Sequence, residues 1–230
     1  MSTTTEGAQA QQEEFPTAVM DGLSMAESAY RRLRDRLVTL DIAPGEAMNE
    51  STLAAELGVG RTPLREAIKR LEADFLVITY PRRGTFASPV DMTELADLTE
   101  MRLLLEPMAA RKAAVRLDDA RRERLQQALH LVHEGIPTGD RRRLIRTDLV
   151  VHRAIYAAAG NMQLEETLIR LDNLATRIWC MVLDRIPDIE THVGEHVGML
   201  EAVLGGDAPR AEQLALEHVR HFEAAVRSTF

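Results

Sequence analysis

Leu53-Ala54-Ala55-Glu56-Leu57-Gly58-Val59-Gly60-Arg61-Thr62-Pro63-Leu64-Arg65-Glu66-Ala67 is the stretch whose reading decides the fold. Asn49 stands where it can cap a short helix running through Leu57, with Glu50 well placed in the first turn. Gly58-Val59-Gly60 breaks that helix. A second begins near Arg61-Thr62-Pro63, where Thr62 can cap and Pro63 suits the first helical position. Its apolar face continues through Leu64, Ala67, Ile68 and Leu71 to about Ala73. Two short helices joined by so tight a turn predict a helix-turn-helix, whose second helix lies in the DNA major groove.

The flanks extend this reading. Upstream, Ala26, Ala29, Tyr30, Leu33, Leu37 and Val38 recur at helical spacing between Met25 and Asp41, and Pro44-Gly45 makes a turn. Downstream, Leu76-Val77-Ile78-Thr79-Tyr80 is a β-branched run and Thr85-Phe86-Ala87 a second, short one. Pro81-Arg82-Arg83-Gly84 between them reads as a hairpin loop. Three helices and then a hairpin is the order of a winged helix-turn-helix. Arg61 and Arg65 can pair with guanine edges, Thr62 with phosphate or a thymine methyl, and Arg82, Arg83 and Gly84 form the wing tip. The plainer alternative is a solvated basic helix face beside an ordinary hairpin.

The net charge of −8 looks unsuited to DNA, but its distribution matters more than its sum. Residues 1–23 carry four acids and no base, residues 24–90 ten bases and nine acids, and residues 91–230 eighteen bases and twenty-three acids. The deficit falls mostly outside the segment assigned to DNA. Residues 1–23, rich in Thr, Gln, Glu and Ala, read as a disordered tail and not as a signal peptide. No apolar run approaches the length of a membrane span. The single cysteine, Cys180, excludes an intramolecular disulfide and fits a cytoplasmic protein.

After Pro89 the pattern is helical throughout. Helices are expected at 93–117, 119–133, 140–158, 162–186, 189–205 and 208–228. Breaks fall at Asp118, Gly135-Ile136-Pro137, Gly160-Asn161, Pro187 and Gly205-Gly206-Asp207. Six helices with short connections predict an antiparallel bundle. Pro107 interrupts the first of them and can bend it. The expectation is a mainly α chain: tail 1–23, a winged helix-turn-helix domain over 24–90, and an all-helical domain over 91–230.

Polar residues in this second half point to a metal. Asp148 and His152 stand one helical turn apart, and His196 and His218 recur in later amphipathic helices. Oxygen and imidazole ligands suit a divalent ion. The spacing is weak evidence by itself, because histidine among apolar neighbours is more often a hydrogen-bonded core residue. The pairs His130/His133, His192/His196 and His218/His221 each share a helix face, and periodicity leaves open which member points inward.

The residues quoted at the outset closely resemble the recognition segment of GntR-type bacterial regulators, with Pro44-Gly45 and the Arg83-Gly84 wing matching too. Two departures are Gly60, where serine or threonine is common, and Phe75, which replaces the usual glycine before the wing. Residues 93–230 resemble the FCD-type effector domain of the FadR subfamily, in the shorter VanR-like group. The marks are Arg102, Leu105-Glu106, Asp148-x-x-x-His152, Ala159-Gly160-Asn161, His196, Gly206-Asp207 and His218. The resemblance implies double-stranded operator DNA as partner, read by Arg61, Thr62, Arg65 and the wing. It also implies a homodimer, and Asp148, His152, His196 and His218 as ligands of Zn²⁺, Ni²⁺ or Mn²⁺. A small carboxylic-acid effector would reach the metal's open positions and Arg102, relieving repression. The alternative for Arg102 is a salt bridge to Glu106. Whether Arg146 and Arg177 reach the cavity stays open. Rival readings are a metal-dependent, hydrolase-like enzyme, for which no general base or nucleophile is evident, and a regulator whose metal is purely structural.

Overall fold

In the computed structural model residues 22–134, 140–186 and 189–229 are described. The expected tail falls almost wholly outside them, as do the breaks at Gly135-Ile136-Pro137 and Pro187. The first helix, α1 (Met25–Val38), starts where Ser24 accepts a hydrogen bond from the Glu27 amide. It is followed by β1 (Ala47–Met48), α2 (Glu50–Leu57), α3 (Arg61–Ala73), β2 (Val77–Tyr80) and β3 (Gly84–Ala87). The strands form one antiparallel sheet in the order β1-β3-β2, with Tyr80 opposite Gly84 at the hairpin and Phe86 opposite both Ala47 and Ile78. This is the expected winged helix-turn-helix. Strand β1 carries no β-branched signal and went unanticipated; its two residues pair only because the wing folds back on them.

Asn49 caps α2 through the Ser51 and Thr52 amides, and Gly58 ends it in the left-handed region at φ 67°. The start of α3 differs from expectation. Gly60 occupies the cap position with no side-chain bond, so Arg61 is the first helical residue and Pro63 the third. First-turn amides lack intrahelical partners, so a proline there forgoes nothing. Phe75 follows the end of α3 at φ 62°, while the Leu76 amide donates back to the Leu71 carbonyl. That is the helix-ending geometry glycine usually supplies. The glycine-type backbone is thus retained with a bulky residue, whose ring is 62% exposed.

Beyond a 3-10 turn at Met92–Glu94 come α4 (Leu95–Val115), α5 (Asp119–His133), α6 (Arg141–Ala158), α7 (Met162–Val182), α8 (Ile189–Leu204) and α9 (Ala208–Arg227). These six helices stand where the periodicity placed them. Helix α4 runs on through Pro107 and packs against α6, α7, α8 and α9, while α5 lies on α6 and α8. Apolar residues of α1, α3 and the wing run continuously into Leu144, Ile145 and Leu149 of α6 and Ala175, Ile178 and Trp179 of α7. A second cluster joins α4, α5, α6, α8 and α9. Among the described residues, no helix is long and apolar enough to cross a membrane.

Candidate metal centre and DNA-reading face

Helix α6 turns Leu144, Ile145, Leu149, Val151 and Ile155 into the core, and the same burial carries Asp148 and His152 inside. His196 enters from α8 and His218 from α9, so three helices contribute to one point. Each of the four residues is no more than 2% exposed. Their ligand atoms lie within 4.8 Å of one another. The Nε2 atom of His152 is 3.2 Å from Nε2 of His218 and 3.2 Å from Nε2 of His196. Asp148 Oδ1 is 3.6 Å from His196 Nε2 and 3.8 Å from His152 Nε2. Metal–ligand bonds of about 2.0–2.2 Å at tetrahedral or octahedral angles set donors roughly 3–3.5 Å apart. The group has close to that spacing.

The outer nitrogens fix which way each ring faces. His196 Nδ1 lies 3.0 Å from the Val193 carbonyl, which can only accept, so Nδ1 carries the proton and Nε2 presents a lone pair. His218 Nδ1 donates to Glu195 Oε2 at 3.0 Å, with the same consequence. His152 Nδ1 is 3.0 Å from the Tyr156 hydroxyl and 3.5 Å from Glu106 Oε2. Partners of this kind orient imidazoles for a metal and raise their basicity. Inside the cluster, Asp148 Oδ1 is buried without a hydrogen-bond partner. The residues therefore fit a divalent cation: an orphaned carboxylate oxygen and three inward lone pairs.

The electrostatics agree. Burial, reinforced by His196 and Arg102, pushes His152 well below the usual histidine range. Burial brings His196 down to about 4, and His218 also falls well below the ordinary value. Neutral imidazole is the ligand form. Burial, with Asp172 and Glu106 adding to it, raises Asp148 well above the ordinary carboxylate value, while Arg102 opposes the rise. Asp172 is pushed up to about 7 by burial. Glu106 and Asp148 lie beside the guanidinium of Arg102, and Asp172 is also within the influence of Arg153 and Arg34; a divalent cation among the ligand atoms would add positive charge next to Asp148.

Arg102 is 2% exposed and donates from Nε to Glu106 Oε1 at 2.5 Å, with Asp172 at 3.7 Å and the Phe222 ring beneath it at 4.8 Å. The salt bridge to Glu106 that the spacing allowed is therefore formed. Arg146 and Arg177 turn elsewhere. Arg146 reaches Asp41 at 3.5 Å, and Arg177 donates to the Ser88 carbonyl. Of the other histidines, His130 and His133 are exposed as expected. His192 is buried and stacks on His218 with ring centroids 4.1 Å apart. His192, Glu195 and His218 form a second possible ligand group, but it shares His218 through the nitrogen that Glu195 already holds. Sequence reasoning missed Glu195, Tyr156 and Asp172. Glu195 directly precedes His196, and that adjacency was its only signal.

On the opposite part of the molecule, Arg61, Thr62, Arg65, Arg82, Arg83 and Gly84 are all exposed. Arg65 Nε donates to Glu50 Oε2 at 3.1 Å, and its side chain stays 68% exposed. Arg82 is in the left-handed region at φ 63° and Gly84 at φ 98°, so the wing tip is a tight turn. The two parts meet through ion pairs. On α6, Arg142 reaches Asp41 at 2.6 Å and Arg153 reaches Asp35 at 2.9 Å, and on α7 Arg170 reaches Asp74 at 3.5 Å. Arg153 directly follows His152, so one helix touches both regions.

The fold and the site define a winged-helix protein with a helical sensor-like body, and comparison with known proteins agrees. The family described as "FCD domain" matches residues 97–221, and "Bacterial regulatory proteins, gntR family" matches residues 25–87. The chain belongs to the GntR family of transcriptional regulators and carries an FCD domain. It is 29% identical over 203 residues to a protein of Streptomyces ambofaciens described as an uncharacterized HTH-type transcriptional regulator in an unstable DNA locus, covering 88% of this chain and 85% of that protein. It is 24% identical over 201 residues to the HTH-type transcriptional repressor RspR of Escherichia coli K12, covering 87% and 88%. The solved structure of E. coli McbR/YncC superposes with a TM-score of 0.76 at 22% identity, covering 90% of this chain and 98% of that one. The family and these relatives are regulators of transcription and not enzymes.

Proposed function

We infer that the protein is a homodimeric cytoplasmic repressor whose operator affinity is set by a small carboxylic acid bound at a divalent metal. Residues 24–90 form the DNA-reading domain and residues 91–230 the metal, effector and dimerisation domain. Arg61, Thr62 and Arg65 read the major groove while Arg82, Arg83 and Gly84 hold the wing on the backbone or minor groove. The observation that carries the metal half of this reading is the convergence of three histidine Nε2 atoms on the partnerless Asp148 Oδ1.

Asp148, His152, His196 and His218 would hold Zn²⁺, Ni²⁺ or Mn²⁺, and the ion would supply Lewis acidity to a carboxylate oxygen. Arg102 is the cation nearest this chamber and the group an acid's second oxygen pair would meet, in exchange for Glu106. The effector acts by binding one arrangement of the domains better than another, since only differential affinity shifts a population. Relief of repression is the expected sign, and RspR, which is similar along most of its length, is named a repressor. The close engagement of Arg102 by Glu106 favours one second reading, in which the metal is structural and no acid binds it.

Thermal unfolding of metal-loaded protein against a panel of small carboxylic acids, with and without chelator, separates the two. A ligand confined to the folded state raises the melting temperature by about 2.7 kcal/mol worth of stability at one hundred times its Kd. One acid that stabilises only the metal-loaded form supports the sensor reading. Collapse on chelation with no response to any acid supports the structural one.

A further inference from the structure

A line of charged side chains runs from the candidate metal centre into the winged domain. Arg102 pairs closely with Glu106 and loosely with Asp172 of α7, 3.7 Å away. Beyond Asp172, Arg153 of α6 reaches Asn173 Oδ1 at 3.3 Å and Asp35 Oδ1 of α1 at 2.9 Å. Asp35 also accepts from Arg34 Nε at 3.0 Å. The Arg34 guanidinium lies 5.5 Å from the Tyr30 ring, and the Tyr30 hydroxyl donates to Asp74, at the end of α3, at 2.6 Å. Arg34, Asp35, Asp172 and Asn173 are buried, and the Arg153 side chain is 18% exposed. On the same three helices Leu33, Leu37, Leu149 and Ile178 belong to one continuous apolar core. Removing one partner from a buried ion pair is costly, because the other charge is left uncompensated. How these cations are shared therefore bears on how α1 sits against α6 and α7.

Asp172 is the loosely held member of the line. A close pair stands on each side of it, Arg102 with Glu106 and Arg153 with Asp35. Its own Oδ2 is buried without a hydrogen-bond partner among the described residues. Burial raises its pKa to about 7, while Arg102, Arg153 and Arg34 all pull the other way, so all three cations act on it. An anion that took Arg102 away would leave Asp172 to Arg153 and Arg34.

We propose that Arg153 is the positioning residue through which the helical body acts on the winged domain, a cation contested between Asp172 of α7 and Asp35 of α1. The acid-sensor reading above supplies the trigger, and the inference adds the route. When Arg102 turns to a carboxylate, Asp172 draws Arg153 and its hold on Asp35 weakens. Helix α1 then loosens, and with it α3, which packs on α1 and carries Arg61 and Arg65.

The test is hydrogen exchange of the α1 amides in the full chain, read by mass spectrometry, with circular dichroism on each variant. Arg102→Met imitates the loss of that cation without any ligand, and its α1 amides should exchange about threefold to tenfold faster than wild type. Adding Asp172→Asn should bring them back to within about twofold, because Asp172 then no longer competes for Arg153. A merely structural loss at Arg102 would not be repaired by removing a second charge. Asp172→Asn alone should exchange no faster than wild type in α1, and Arg153→Met about tenfold faster, with no further increase when Arg102→Met is added. A folded Arg102→Met variant with wild-type exchange in α1, or an acceleration that Asp172→Asn leaves in place, overturns the proposal. Should Arg102→Met fail to fold, faster exchange in Asp172→Asn or wild-type exchange in Arg153→Met overturns it equally. None of these variants needs an acid, so a protein that behaves as expected yet is stabilised by no acid keeps the route and loses the acid-sensor reading.

Discussion

The proposed DNA-reading face and the candidate metal centre are built in opposite ways. The first is assembled from neighbours in sequence, displayed outward, and organised by local rules: an asparagine cap, a left-handed glycine and a two-strand wing. The second brings together residues from α6, α8 and α9 in a chamber with almost no solvent contact. An exposed arginine is free to meet a partner, and its loss leaves the fold alone. A buried ligand set is bound to the fold, since removing one member leaves the others charged or unpartnered in low dielectric. The contrast teaches that mutation should separate function from stability in one region and join them in the other.

The sharpest break is at the metal. His196→Ala removes an inward Nε2, and stoichiometric metal binding at micromolar concentration should be lost, read by elemental analysis after dialysis. Its melting temperature should fall as well. A variant that keeps one ion per chain would show that the remaining residues suffice. On the DNA side, Arg65→Ala should cost about tenfold to a hundredfold in operator affinity per half-site, measured by fluorescence anisotropy at fixed salt. Its melting temperature should stay at the wild-type value, and unchanged affinity would displace α3 as the reading helix.

Two smaller effects sharpen the same contrast. Glu195→Gln keeps the shape of the side chain that holds His218 Nδ1 but weakens the charge behind it. Metal affinity should drop about tenfold, the lower end of what such supporting groups contribute, with the fold retained. Competition with a chromophoric chelator reads this directly, and no change would make Glu195 a bystander. Phe75→Gly removes a side chain from a left-handed position that costs roughly 1–2 kcal/mol for other residues. Because the ring is largely exposed, the melting temperature should rise by about 2–4 °C. A fall would mean that the ring has a packing role its exposure conceals.

How far the sequence could be read follows the same division. Helix ends at Asn49, Gly58 and Gly160-Asn161 were legible because their chemistry is local. The start of α3 was misplaced by a residue or two, since Thr62 and Gly60 are both plausible caps and the choice depends on how the chain leaves Gly58. Strand β1 was invisible because two residues of β-structure exist only by pairing with β3. At the metal centre, helical spacing gave Asp148 with His152, but could not choose between His192 and His196 or between His218 and His221. Those choices needed family resemblance: in the structure His196 and His218 are buried beside Asp148 and His152, His192 is buried as well and stacks on His218, and His221 stays exposed and bonds Glu195. The supporting partners Glu195 and Tyr156 lay beyond sequence reasoning, because their roles arise from contacts between side chains that face the same chamber.

The central claim is that this chamber holds a metal, and metal content per chain tests it most directly. Protein loaded with excess Zn²⁺, Ni²⁺ or Mn²⁺ and then dialysed should retain one divalent ion per chain by elemental analysis. X-ray absorption should show about three imidazole nitrogens and a carboxylate oxygen at roughly 2.0–2.2 Å. A protein that retains none of the three ions, at a pH where its histidines are neutral, would contradict the account.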